Sequence, residues 1–344
     1  MKKLFLLLLA VLFSFSAVNA QKSTPEFYNV GFYNLENLFD TIHDAGKNDY
    51  DFLPEGKNKW GTLKYTNKIN NMAMVLAEMG TDVSADGMAV VGVCEVENAR
   101  VLQDIVEHEN LIHRGWRYIH YEGNDKRGVD CALLYNPTLF EPIGSSLVPY
   151  RDVRNDTVYL TRGFLLVTGV MGGETVHIIV NHWPSRSAKS PAREGAGTFV
   201  RHLKDSLMNA VPGSKVIVMG DLNDNPDNVS VSESLGAVYD KKDTGGAKGL
   251  YNPWWKIFYE EDGGTLKYEN RWHLFDQIIL SGNLLYANAS SLVFHKAEIF
   301  SRAYMFQEKG RYKGSIKRTH AGGMWLNGYS DHLPVIVYLV KRVK

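Results

Sequence analysis

Five clusters of polar residues stand at the ends of short apolar runs, and their residue types suit work on phosphate. Asn34-Leu-Glu-Asn follows Val30–Tyr33, Glu95 closes Val90-Val-Gly-Val-Cys, and Asn181-His-Trp-Pro-Ser-Arg follows Ile178–Val180. Gly220-Asp-Leu-Asn-Asp-Asn-Pro follows Val216–Met219. Ser330-Asp-His-Leu-Pro precedes a last apolar run, and Asp276 is set inside Leu274-Phe-Asp-Gln-Ile-Ile-Leu. A strand that ends exposes its last side chains at one edge of a sheet, so several strands can aim carboxylates and imidazoles at one point. Carboxylate and amide oxygens suit hard divalent ions. Hydrolysis of a P–O bond needs such an ion, an activated water and stabilised phosphoryl charge. An imidazole of near-neutral pKa exchanges protons with water, and a carboxylate on its other nitrogen fixes the tautomer. Asp276 interrupts an apolar run, where an unpaired carboxylate is costly, and His332 is the obvious partner.

In this order the motifs resemble the endonuclease/exonuclease/phosphatase superfamily, which includes DNase I-like nucleases, apurinic endonucleases, sphingomyelinases and inositol phosphatases. The resemblance covers nearly the whole mature chain. It implies an α+β fold, a four-layer αββα sandwich of two packed mixed β-sheets flanked by helices, with the site at the sheet edges. Carried over residue by residue, Asn34 and Glu95 resemble the metal-site pair, with Glu95 the principal carboxylate and Asp331 an accessory acid beside the ion. His332 resembles the catalytic imidazole and Asp276 the carboxylate that orients it. Asp221 and Asn223 resemble the pair that positions the attacking water and the scissile phosphate. His182 resembles the donor to a non-bridging phosphate oxygen. The implied cofactor is Mg²⁺ or Mn²⁺, with Ca²⁺ as a third hard ion; the general base stays open between His332 and Asp221.

Other residues are weighed against plainer readings. Glu36 and Glu97 each lie two positions from a chosen residue, and on an extended strand that spacing puts both on one face. Either assists the metal or makes local hydrogen bonds. Arg127 and Arg186 sit where substrate phosphates approach. Asp224 reads as a turn former. The stretch from Ser234 to Trp272 reads as a long surface excursion near the site; Trp254 and Trp255 read as packing within it, with base or sugar stacking as the alternative.

The elements that must position these groups alternate along the chain. Strands are expected at Tyr28–Tyr33, Met88–Val96, Val129–Tyr135, Phe164–Val170, Val176–Val180, Lys215–Gly220, Leu274–Leu280 and Pro334–Val340. Ile69, Met72, Val75, Leu76 and Met79 recur at helical spacing, as do Val200, Leu203 and Leu207. Residues 1–20 read as a secretory signal peptide, with Lys2 and Lys3, the apolar run Leu4–Phe13 and a small-residue ending at Ala20. Residues 21–344 then form a single catalytic domain, exported to the periplasm or the extracellular space, without a transmembrane anchor and monomeric. Without Lys2 and Lys3, the 38 basic and 38 acidic residues become 36 and 38, a formal charge of −2. Such a balance supplies no broad basic field for nucleic acid. A metal brings its own local positive charge, so phosphate substrates stay open. Cys94 and Cys131 are too few for a disulfide framework and read as buried small hydrophobes, with a single bridge as the alternative.

The expected activity is phosphodiester hydrolysis, in the first instance of DNA or RNA. The alternatives are a phosphatase or a phosphodiesterase acting on phospholipid or sugar phosphate, and a non-catalytic binding module. The module reading predicts loss of a chemical residue, and none of Glu95, Asp221, Asn223, Asp276 and His332 is missing.

Overall fold

The computed structural model describes residues 24–154, 157–286 and 290–343. The segment read as a signal peptide lies outside them. Two mixed sheets carry the chain. The first has six strands in the spatial order Val293–Ile299, Val335–Val343, Thr24–Leu38, Val90–Val96, Asp130–Tyr135 and Arg117–His120. The second has seven, in the order Ala237–Val238, Leu250–Tyr251, Asp276–Ser281, Lys215–Asp221, Glu174–His182, Phe164–Met171 and Phe140–Val148.

Alternation along each strand explains why the sheets stack. Val30, Phe32, Val90 and Cys94 of the first sheet face inward, onto Ile178, Val180, Ile217, Met219, Ile278 and Leu280 of the second. Their neighbours Tyr33, Val91 and Val93 point outward, under helices α1 (Thr62–Glu78) and α2 (Ala99–Val106). On the far side Ile179, Val216, Val218 and Ile279 meet Val200 and Met208 of helix α3 (Pro191–Ala210). Period-2 burial on both faces gives helix, sheet, sheet and helix, the α+β sandwich that the motifs imply.

Two expectations need adjusting. The first strand runs on to Leu38 instead of ending at Tyr33. The excursion from Ser234 to Trp272 does not stay on the surface: it adds two short edge strands to the second sheet, and Trp254, on helix α4 (Trp254–Tyr259), is fully buried between the sheets. Cys94 and Cys131 are free, buried and directly opposite each other on neighbouring strands. Among the described residues, no helix is long and apolar enough to cross a membrane.

Candidate active site

The first sheet contributes its part of the site through two bulges. Pairing of Thr24–Leu38 with Val90–Val96 shifts between Asn34 and Leu38, and pairing of Val90–Val96 with Asp130–Tyr135 shifts between Cys94 and Val96. Glu36, Asn37 and Glu95 take left-handed backbone, at φ 46°, 51° and 59°. Such angles cost a non-glycine residue energy and persist where surroundings over-determine them. Here the bulges hold each other: the Asn37 N–H donates to Glu95 Oε2 at 2.9 Å. A bulge breaks the two-residue rule of an extended strand, which corrects the expectation for Glu36 and Glu97. Glu36 turns to Arg318 and accepts from the Thr319 N–H at 2.7 Å. Glu97 accepts from the Asp40 N–H at 2.6 Å.

The second sheet supplies a row. Asp221 is opposite His182 on one neighbouring strand and opposite Asp276 on the other, so the three stand side by side at one edge. Asn223 follows in left-handed backbone, φ 52°, donating its N–H to Asp221 Oδ1 at 2.9 Å.

Bonds across the inter-sheet gap join the two halves. His332, just before the last strand of the first sheet, donates from Nδ1 to Asp276 Oδ2 at 2.6 Å. Its Nε2 stands 3.9 Å from Asp221 Oδ2 and 4.0 Å from Asp331 Oδ1. The Asn34 amide donates to Asp221 Oδ2 at 3.1 Å. His182 Nε2 is 3.7 Å from Asp221 and 3.9 Å from Glu95. Ser330 anchors the loop, donating from Oγ to the Asn34 carbonyl at 2.7 Å and accepting from the His332 N–H at 3.1 Å.

Burial sets the charges. It raises Asp221 to about 7, with His332 pulling it down and Asp276 pushing it further up. Burial opposes a charge on His332 too, but Asp276, with Asp221 and Asp331 behind it, outweighs this and holds the imidazole well above its ordinary value. His182 is pushed well below its ordinary value by burial, with Arg162, Arg127 and His332 adding to the effect. The site thus pairs an imidazole that holds its proton with one that stays neutral.

Asn34, Glu95, His182, Asp221, Asn223, Asp276, Asp331 and His332 therefore meet at one edge of the sandwich. Arg186 lies beside them, donating from Nε to the Asn223 carbonyl at 3.0 Å and covering the Phe275 ring at 4.4 Å. It lines an open cavity of about 780 Å³ with Asn223, Tyr268, Arg271, His273 and Phe275. Arg127 is half exposed and turns to Asp125 at 3.7 Å. Asp224 is more than a turn former: it is buried, paired with Arg193 of α3 at 2.7 Å and with Arg186 at 3.3 Å.

Three cations escaped the sequence reading: Arg162 and Arg318 lie in irregular segments, and Lys68 lies on α1 far from every motif. Arg318 holds Asp331 at 2.7 Å and Glu36 at 3.2 Å. Buried Lys68 of α1 donates to the Thr319 hydroxyl at 2.7 Å and the Tyr329 carbonyl at 2.5 Å, pinning the same loop. Arg162 pairs with Asp125 at 2.7 Å and donates to the His182 carbonyl at 3.1 Å. Only their tertiary placement links them to the motifs.

The donor set fits a divalent ion. The Glu95 and Asp331 carboxylates and the Asn34 side-chain carbonyl offer oxygen, the preference of Mg²⁺ and Mn²⁺. Asp221, Asp276 and His332 also bring ligand atoms within 4.8 Å of one another. In that group, however, Asp276 and His332 spend Oδ2 and Nδ1 on each other. At the bulges Asn34 Oδ1 and Glu95 Oε2 are engaged as well, accepting from the Glu36 and Asn37 N–H groups at 2.9 Å each.

This arrangement defines a class: phosphoester hydrolases built on two packed sheets. The family model for the Endonuclease/Exonuclease/phosphatase family matches residues 29–341, and the chain belongs to that family. It is an enzyme of the phosphoester-hydrolase class. No curated protein sequence matches the chain. Solved structures share the fold at low identity. The mannosyl-6-phosphatase of Bacteroides thetaiotaomicron is 16% identical at a TM-score of 0.56, covering 91% of this chain and 99% of its own. D. rerio TDP2 complexed with a single strand DNA product is 13% identical at 0.53, covering 91% and 98%. The catalytic domain of human Nocturnin with a bound sulfate anion is 14% identical at 0.51, covering 93% and 98%.

Proposed function

We propose that the chain is an exported, divalent-metal-dependent phosphodiesterase acting on DNA or RNA. The observation that carries this reading is the His332–Asp276 bond of 2.6 Å, which leaves Nε2 facing Asp221 beside Glu95 and Asn34. Glu95, Asn34 and Asp331 would hold the ion, which when bound neutralises phosphoryl charge. Asp221, raised by its burial, takes the proton of the attacking water. His332 keeps its proton under the influence of Asp276 and presents it to the phosphoryl group as charge develops. Neutral His182 donates a hydrogen bond to a non-bridging oxygen, and so does Asn223. The Asn223 amide gives one N–H to the Trp183 carbonyl at 3.1 Å, and its second meets no acceptor among the described residues.

The cavity beside Asn223 supports a diester. Arg186 suits a flanking phosphate, and Tyr268, His273 and Phe275 suit a base or sugar face. A solved neighbour, D. rerio TDP2, is described with a single strand DNA product. A second reading keeps the chemistry and changes the substrate to a sugar phosphate or another small phosphate ester. The balanced charge favours it, as does the mannosyl-6-phosphatase among the neighbours. Export rests on residues 1–20 alone.

The test is hydrolysis of plasmid DNA, RNA, bis-p-nitrophenyl phosphate and p-nitrophenyl phosphate by the purified mature chain, with Mg²⁺ and then EDTA. EDTA-sensitive cutting of nucleic acid is expected, and is expected to vanish in His332→Ala. Cleavage of small esters alone would move the second reading to the front. No hydrolysis with any divalent ion would sink both.

A further inference from the structure

A second group of ligand-type side chains lies on the outer face of the first sheet. His120 ends the strand Arg117–His120, and Asp130 begins its neighbour Asp130–Tyr135. His120 is opposite Ala132 in the register, so His120 and Asp130 sit diagonally on one face. Glu122, two residues on, stands at the exposed rim. His120 Nε2 and Asp130 Oδ2 are 3.5 Å apart, on side chains only 4% and 2% exposed. Neither atom makes a hydrogen bond among the described residues. One ligand atom from each of His120, Glu122 and Asp130 falls within 4.8 Å of the others. Buried polar atoms are rarely left without a partner. Here two of them converge, with the third donor at the solvent side.

We propose that His120, Glu122 and Asp130 bind one transition-metal dication of the Zn²⁺ class, separate from the catalytic ion. The spacing fits: two donors about 2 Å from one tetrahedral ion lie about 3.3 Å apart, close to the 3.5 Å between Nε2 and Oδ2. One imidazole and two carboxylates select a borderline ion over Mg²⁺ or Ca²⁺, which prefer oxygen throughout. The other oxygen of Asp130, Oδ1, accepts from the Gly123 N–H at 3.0 Å, so the site anchors the loop that starts there. Lys47 grips the same loop through the Gly123 carbonyl at 2.9 Å and the Asp125 carbonyl at 3.4 Å. The loop carries Asp125, which holds Arg162 beneath His182. The ion stiffens a loop that reaches the catalytic edge without belonging to it.

Equilibrium dialysis of the chelator-stripped mature chain against Zn²⁺, in excess Mg²⁺ and with Glu95→Ala as the background, tests the site. Glu122→Gln is at an exposed position and leaves the fold alone; His120→Asn is checked by circular dichroism. Each is expected to weaken one Zn²⁺ equivalent by at least tenfold and to remove the Zn²⁺-dependent rise in Tm. Zn²⁺ stoichiometry and affinity unchanged in both folded variants would overturn the proposal. Absence of any tight Zn²⁺ equivalent in the parent would overturn it equally.

Discussion

The Asp276–His332 bond fixes which imidazole nitrogen carries its proton toward Asp276, and it also supplies the buried carboxylate with the donor it needs. Asp276 Oδ2 accepts at 2.6 Å, while its buried Oδ1 has no hydrogen-bond partner among the described residues. Replacing His332 by alanine removes the proton at Nε2 and is expected to lower turnover about a thousandfold, within the range for acid–base groups. Circular dichroism should be unchanged, and turnover close to the parent would remove the pair from the mechanism. Glu95 gives a different prediction because its proposed partner is an ion. Saturating Mg²⁺ at about a hundred times Kd should stabilise the parent by about 2.7 kcal/mol. Glu95→Gln is expected to lose most of that increment, with no comparable change in EDTA. A Tm that rises equally with Mg²⁺ in parent and variant would take Glu95 out of the metal site.

Loops and strand ends carry the remaining contacts, and there Asp125 and Arg162 form the most consequential pair. Both side chains are nearly nine-tenths buried, at 13% and 12% exposure. Burial alone would raise the Asp125 carboxyl, but Arg162, with help from Arg127, outweighs it and leaves the group below its usual range. A depressed carboxylate contributes stability above the unfolded value of about 3.9 and loses it as pH falls through the folded value. Asp125→Asn is therefore expected to cost about 3 kcal/mol at pH 7 by leaving Arg162 unpaired. In urea titrations the gap to the parent should shrink as pH drops below about 4. A gap independent of pH would mean that the cost is packing rather than charge. The same elements mark what the sequence exposes. Val90–Val96 and Lys215–Asp221 are buried β-branched runs and read as strands directly. Phe140–Val148 is a largely exposed sheet edge and Val293–Ile299 a half-buried one, so neither shows the clean buried alternation that marks a strand. The motif residues that gather at the edge are legible through the order of their motifs, which resembles the family's, and Asp276 also because an unpaired carboxylate in an apolar run is costly. The left-handed turns at Glu36, Asn37 and Glu95 are not, since no glycine marks them. Arg318, Arg162 and Lys68 reach the site only through folding of distant segments.

For the whole molecule, the site exists because two sheets meet. Asn34, Glu95, Asp331 and His332 come from the first sheet and its flanks, whereas His182, Asp221 and Asp276 come from the second. The His332–Asp276 and Asn34–Asp221 bonds both cross that gap. The separation of the sheets therefore sets the separation of the reacting groups. At Gly92 the sheets approach closely. A Cβ there would lie 2.5 Å from Met219 Sδ and 3.1 Å from Val180 Cγ1, side chains in the middle of the second sheet. A larger residue must push Met219 aside or move the sheets, and overpacking of this kind typically costs about 1–3 kcal/mol. Gly92→Leu is expected to destabilise by about that amount while keeping the secondary structure. It is also expected to lower kcat at least tenfold per folded molecule, since misplacement by about 1 Å at a reacting centre can cost a hundredfold. Metal affinity should change less, because the ligands proposed for the ion all come from the first sheet and the loop before its last strand. Destabilisation with full kcat would show that the core absorbs the bulk through Met219 alone, and that the two halves of the site are held in register by the bonds at the edge rather than by the packing beneath them.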